Sequence, residues 1–270
     1  MKDLRLRRIL HPGTGRTVIC PMDHGVALGP IAGLTDLEAA VALIRDHVDA
    51  VVVHKGQVAA IARQLASSPG IAVIVHLNAS VEGSPSHPGK VLVASVEEAL
   101  SLGADAVSVQ LNLGCPGDDE MLRSVGQVVR ESQLLGVPVL TMTYPQGPGL
   151  RADSVADVAH VARVAAELGS DLIKVSVPPE EDAVARIVAG VGVPVVVSGG
   201  PRRPDPAPVL RSVQSAVAAG ARGIALGRNV FQHPDPGWMA ARLRAVVHDL
   251  PGARADAVLD VGAHRVLAHP

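Results

Sequence analysis

One local pattern recurs along the chain and limits its fold more than any other feature. A helix-like stretch ends in glycine, a short polar step follows, and a run of aliphatic residues comes next. It reads LGADAVSV at 102–109, LGVPVLTM at 135–142, LGSDLIKV at 168–175, VGVPVVVS at 191–198 and AGARGIAL at 219–226. Glycine sits where a helix stops and the chain turns. An unbroken aliphatic run is a strand buried on both faces. The earlier runs TVICPM (17–22), AVVVH (50–54) and IAVIVH (71–76) bring the series to eight.

Segments of helical period lie between most of these runs. Thr35-x-x-Glu38 and Ser95-x-x-Glu98 predict capping boxes that open helices. DVAHVARVAAELG (157–169) spaces its apolar residues three to four apart. Eight βα units with no break in composition predict one (β/α)8 barrel over residues 1–270. A short N-terminal extension precedes it, and an Ala-rich helical tail follows from about residue 250. The alternative is a doubly wound open sheet, but no G-x-G-x-x-G follows the first run, as a dinucleotide fold would want. The Pro-rich stretch PRRPDPAP (201–208) reads as the loop after strand seven, because strand eight must still follow.

Composition removes several classes of function. The chain holds one Tyr, one Phe and one Trp (Tyr144, Phe231 and Trp238), so its core is aliphatic and it lacks platforms for stacking bases. A net charge of −2 gives no electrostatic footprint for nucleic acid. No apolar run approaches the length of a membrane span. MKDLRLRRIL has neither the long apolar stretch nor the cleavage site of a secretory signal. Cys20 and Cys115 make no disulfide framework and read as reduced cytoplasmic thiols.

In a barrel of this kind the chemistry sits at the C-terminal ends of the strands. In order, those ends carry Asp23-His24-Gly25, His54-Lys55-Gly56, His76-Leu77-Asn78, Gln110-Leu111-Asn112, Tyr144-Pro145-Gln146, Lys174, Ser198-Gly199-Gly200 and Gly227-Arg228-Asn229. Lys174 is the sharpest signal. By strand alternation it shares a face with Leu172 and Ser176, and it points into the barrel if Ile173 and Val175 face the helices. Burial favours the neutral amine, which attacks a ketone to form a Schiff base. A structural ion pair or a phosphate contact would also explain a lysine there. Asp23 and Tyr144 are the candidate proton carriers, with Asp23 placed to pair with Lys174. A helix cap and a rim aromatic are their plainer roles. Gly199-Gly200 and Gly227-Arg228, on adjacent strand ends, suggest a phosphate site built from backbone N–H groups and a guanidinium. Tight turns would need the same glycines. His24, His54 and His76 follow three consecutive strands, yet no His-x-His or H-E-x-x-H spacing supports a metal. Neither metal nor organic cofactor is expected.

These segments resemble the archaeal-type class I aldolase family, which includes archaeal fructose-bisphosphate aldolases and 2-amino-3,7-dideoxy-D-threo-hept-6-ulosonate synthases. The likeness spans nearly the whole chain. PMDHGVALGPIAGL (21–34), HKGQV (54–58), SVEEALSLGADAVSV (95–109), MTYPQG (142–147), LIKVS (172–176), VVSGGP (196–201) and ALGRNVFQH (225–233) carry it. The resemblance implies a (β/α)8 barrel, with Lys174 as the Schiff-base lysine, Tyr144 as proton donor and Asp23 as acid or base. It implies substrate and phosphate contacts at Asp23, His24, Gly25, Gln146, Ser198, Gly199, Gly200, Gly227 and Arg228. It also implies homo-oligomeric rings, decamers among relatives. One departure stands out: the family segment commonly reads Y-P-R-G, and Gln146 replaces the arginine, which is not a conservative change. The PMDHGV opening and Met142 look more like the heptulosonate synthases. The expected reaction joins a phosphorylated ketone (dihydroxyacetone phosphate or a deoxy-ketohexose phosphate) to L-aspartate 4-semialdehyde, for aromatic or aminohydroxybenzoate biosynthesis. A fructose-bisphosphate aldolase and a non-catalytic phosphosugar-binding barrel stay as alternatives.

Overall fold

The computed structural model describes residues 1–68, 70–84 and 89–249. All eight aliphatic runs form strands, which pair in parallel into a closed barrel. They are β1 (Thr17–Pro21), β2 (Ala50–His54), β3 (Ala72–His76), β4 (Ala106–Leu113), β5 (Val139–Pro145), β6 (Leu172–Val175), β7 (Val195–Ser198) and β8 (Gly223–Ala225), each beside its sequence neighbours, with β8 closing on β1. The doubly wound alternative is thereby excluded. Eight helices follow the strands in turn: α1 (Leu37–Ile44), α2 (Val58–Ser67), α3 (Val96–Ser101), α4 (Asp118–Leu135), α5 (Val155–Glu167), α6 (Ala183–Val191), α7 (Ala207–Ala218) and α8 (Pro236–His248). The Pro-rich stretch is the connection from β7 into α7. The helical tail expected after about residue 250 lies outside the described residues.

Helix starts follow short polar side chains. Ser95 Oγ accepts from the Glu98 N–H at 3.0 Å, as the capping box predicts. The first box is displaced by one residue: Asp36, not Thr35, caps α1 by accepting from the Ala39 N–H. A carboxylate is at least as good a cap as a threonine hydroxyl, and the chain uses the nearer one. Ser154 caps α5 and Asp235 caps α8 in the same way.

Strand alternation divides the core in two. Outward residues such as Val51, Val53, Val73, Val75, Ile173 and Val175 pack beneath the helices. Inward residues such as Ile19, Ala50, Val52, Ile74, Leu140 and Leu172 fill the barrel. Ile9, from the N-terminal helix Lys2–Ile9, joins this inner set and plugs its floor.

An acidic residue shortly before a strand locks the floor at three points. Asp49, Asp105 and Asp171 accept the backbone N–H of Val18, Val73 and Val139, each on the preceding strand, at 2.7–2.9 Å. Basic side chains offset these carboxylates. Arg244 and His248 meet Asp49, Arg8 meets Asp105, and Lys2 meets Asp171. The basic N-terminal segment is therefore a structural lid on the barrel floor. Ile9→Ala should cost about 2–5 kcal/mol through lost burial and a residual cavity. Urea unfolding would read this; a change below about 0.5 kcal/mol would contradict the plug.

Candidate active site

The barrel interior changes character along its axis. β5 presents Leu140, then Met142, then Tyr144; β6 presents Leu172, then Lys174; β3 presents Ile74, then His76; and β4 presents Ala106, then Ser108 and Gln110. Strand register places His76 beside His54 and Ser108, and Lys174 beside Met142 and Val196. Above the aliphatic layers the inner face thus turns polar. There it encloses a cavity of about 210 Å³, whose wall includes Asp23, His24, His54, His76, Tyr144 and Lys174.

Lys174 points inward, as alternation predicts: Ile173 and Val175 belong to the outer core and Leu172 to the inner one. The residue is 8% exposed. Nζ lies 3.8 Å from Met142 Sδ, a weak acceptor. The expected pairing with Asp23 is not made: among the described residues Lys174 forms no ion pair. Asp23 stands two residues past the end of β1, and its carboxylate faces His24 Nδ1 at 3.9 Å and His76 Nε2 at 3.8 Å instead. Amine and carboxylate line one cavity without touching, which leaves room for a substrate carbonyl between them. The Tyr144 ring packs on the inner core and lines the same cavity.

Burial controls the charge of this layer. It pushes His76 down to about 3, so the imidazole is neutral at physiological pH. His76 Nδ1 shares a hydrogen bond with Ser108 Oγ at 2.8 Å, and its ring meets His54 edge-on. Burial also lowers His24 and His54, against the pull of Asp23. For Asp23, burial alone would raise the carboxyl; the Coulombic pull of His76, His24, Lys174 and His54 outweighs it and sets the carboxyl below its ordinary value.

The remaining expected contacts fall outside this cavity wall. Ser198, Gly199 and Gly200 border a neighbouring cavity of about 840 Å³ between the β6 and β7 ends and their helices. Gly200 has φ +65° with open space at its Cβ position. Gly227 is tightly packed: a Cβ there would lie 2.6 Å from the Pro21 carbonyl oxygen and 2.8 Å from the His24 ring, so close contact explains this glycine. Arg228 opens the short helix Arg228–Phe231, and its charge reaches His24. Gly25 opens the turn Gly25–Leu28. Gln146 continues the end of β5, its backbone N–H donating to the Leu113 carbonyl.

Several site residues were not singled out by the sequence. Asn229, 4% exposed, donates to the Gly199 and Pro201 carbonyls and accepts the Arg203 N–H, so it ties the β7 loop to β8. Asn78 pairs through its amide with both backbone groups of Gln110. Lys90 and Ser80 also line the Lys174 cavity. A short antiparallel pair, Asn78–Ala79 with Val91–Leu92, brings them there. Other polar residues are structural. Lys55 pairs with Glu98 at the surface. Burial pushes both cysteine thiols up, which opposes a nucleophilic role. Among the described residues no three His, Cys, Asp or Glu side chains are grouped to hold a metal ion, and no helix is long and apolar enough to cross a membrane.

A histidine held neutral by burial makes stability depend on acid. His76 binds a proton at about 6.5 when unfolded and at about 3 when folded, so its contribution is complete above the first value and lost as pH falls toward the second. Stability should fall across that window, with His76 adding a slope of up to about 1.4 kcal/mol per pH unit. His76→Gln should flatten the slope in urea titrations; an unchanged slope would contradict a neutral His76.

Known proteins resemble this chain over most of its length. The family model for DeoC/LacD family aldolases matches residues 17–233. A 2-amino-4,5-dihydroxy-6-oxo-7-(phosphonooxy)heptanoate synthase of Streptomyces griseus is 41% identical, over 97% of this chain and 95% of its own. A 2-amino-3,7-dideoxy-D-threo-hept-6-ulosonate synthase of Halobacterium salinarum is 39% identical, over 92% of each chain. Among solved structures, an archaeal fructose 1,6-bisphosphate aldolase superposes with a TM-score of 0.82 at 30% identity, covering 92% of this chain and all of its own. A similar match, at a TM-score of 0.81 and 30% identity over the same shares, has its catalytic lysine covalently bound to a carbinolamine intermediate.

Proposed function

The chain belongs to the DeoC/LacD aldolase family, and on that premise we propose that it is a Schiff-base aldolase joining dihydroxyacetone phosphate to L-aspartate 4-semialdehyde. The observation that carries this reading is Lys174, inward-facing and buried, in a small polar cavity shared with Asp23 and Tyr144. The product named for the Streptomyces griseus relative supports the substrates. An oxo group at carbon 6, a phosphonooxy group at carbon 7 and hydroxyls at carbons 4 and 5 mark an aldol bond between carbons 4 and 5. Breaking that bond gives dihydroxyacetone phosphate and a four-carbon amino-acid aldehyde, with no atom left over.

Lys174 Nζ attacks the ketone carbon, and loss of water leaves an iminium. The iminium draws electrons from the adjacent hydroxymethyl carbon, which loses a proton to become an enamine. The enamine carbon bonds to the aldehyde carbon, and the aldehyde oxygen takes a proton. Water then hydrolyses the new iminium, releasing the ketone product and the free lysine. Asp23, whose carboxyl lies below its ordinary value, suits the proton acceptor. Tyr144, on the opposite wall, suits the donor to the new hydroxyl. Gly199, Gly200 and Arg228 are proposed for the donor phosphate, with Gly25, Ser198 and Gly227 shaping the loops around it and His24 beside Asp23. Gln146, just past the end of β5, is neutral where the family segment commonly has a guanidinium. No organic cofactor enters these steps.

A second reading follows from the Halobacterium salinarum relative, whose named product is deoxygenated at carbon 7. A deoxy-ketohexose phosphate would then donate a three-carbon unit by transaldol transfer on the same lysine. The family resemblance further supports a homo-oligomer working in the cytoplasm; a monomeric mass in solution would contradict the former.

With dihydroxyacetone phosphate and L-aspartate 4-semialdehyde, mass spectrometry should find a product of the summed mass. Lys174→Met should abolish it, and Tyr144→Phe should lower kcat by about 10²–10⁴. Efficient cleavage of fructose 1,6-bisphosphate with no such product would instead favour a fructose-bisphosphate aldolase.

A further inference from the structure

The mechanism above leaves one buried cation without a task. Lys90 is 9% exposed and lines the same cavity as Lys174. Its ammonium donates to Ser80 Oγ at 3.2 Å. Among the described residues it makes no ion pair. An ammonium withdrawn from water is costly unless a negative charge meets it. Burial accordingly pulls Lys90 below the ordinary lysine value, with Asp23 opposing the shift. A carboxylate bound against Nζ would supply the missing partner.

Position narrows the choice of anion. The short strand pair at 78–79 and 91–92 sets Lys90 beyond the end of β3. In the closed ring β3 stands opposite β7, whose loop is the proposed holder of the donor phosphate. Lys174, on β6, becomes covalently engaged during the reaction, and burial keeps His24, His54 and His76 toward neutrality. Lys90 is then the cation of the cavity wall left to meet a second anionic group. Gln146 is neutral and does not line this cavity.

We propose that Lys90, seated on Ser80, binds the carboxylate of the acceptor aldehyde and so selects carboxylated aldehydes over neutral ones. This inference rests on the condensation proposed above. In it the donor is anchored on the β7 and β8 side and the acceptor on the β3 side. The aldehyde carbon is presented to the enamine between them.

The test compares wild type, Lys90→Met and Lys90→Arg with dihydroxyacetone phosphate as donor and L-aspartate 4-semialdehyde or propanal as acceptor. The readout is the ratio of kcat/KM for the two aldehydes. Exchange of the donor's carbon-bound proton into deuterated water reports the donor half-reaction and the folded site. Lys90→Met should lower the ratio about 30-fold or more, chiefly through KM for the semialdehyde, while donor exchange persists. Lys90→Arg should recover most of the ratio. An unchanged ratio, whether both rates fall or neither does, overturns the proposal with the condensation left standing. A raised KM for dihydroxyacetone phosphate would assign Lys90 to the donor phosphate and overturn it equally. A wild type that exchanges the donor proton yet joins neither aldehyde overturns the acceptor reading and this subsite together.

Discussion

The structure depends on one constraint: successive side chains of a strand point to opposite faces. In a closed barrel, that rule sends half of each strand into the barrel interior. The outward half is almost wholly Val, Ile and Leu, and it fixes the strands against the helices. The inward half divides along the axis. Ala, Val, Ile and Leu fill the lower layers, and His, Ser, Gln, Tyr and Lys take the upper ones. Lys174 stands at this boundary, on aliphatic neighbours below and in a polar cavity above. A register slip of one residue would turn it out beneath the helices and destroy the site.

Such a polar layer is a burden on stability, and the opposite end of the barrel compensates. Ile9 fills the floor, while Asp49, Asp105 and Asp171 bind strand N–H groups and are met by cations from the N-terminal helix and α8. Each of these three aspartates therefore has its cation at the floor. At the upper end, Lys174 and Lys90 are buried without carboxylate partners among the described residues. A buried cation left unpaired by the fold is one that a substrate can meet.

The strands were legible because parallel barrel strands are long aliphatic runs bounded by glycine. Lys174 was legible because a charge inside such a run breaks the pattern, and alternation alone sets its direction. Asp23 and Tyr144 could be placed at strand ends, but their contacts could not. Asp23 faces His24 and His76 because it lies beyond β1, where alternation no longer governs direction. Thr35 lost the capping position to Asp36 because two adjacent residues offered equivalent caps. Lys90 and Ser80 escaped notice because two-residue strands carry no periodicity. Asn229 could be placed at a strand end but its role could not, because it bonds backbone carbonyls of a loop distant in sequence. The glycine at 227 was readable as necessary, yet sequence could not separate a cradle for an anion from close packing against Pro21 and His24.

The chemistry turns on a covalent bond between Lys174 and the donor ketone. Borohydride reduction in the presence of dihydroxyacetone phosphate, followed by peptide mass spectrometry, tests it most directly, and with four lysines in the chain the adduct is simple to place. A stable adduct is expected on Lys174 and none on Lys2, Lys55 or Lys90. A folded protein that yields no adduct on Lys174, with this ketone or with a deoxy-ketohexose phosphate, would contradict it.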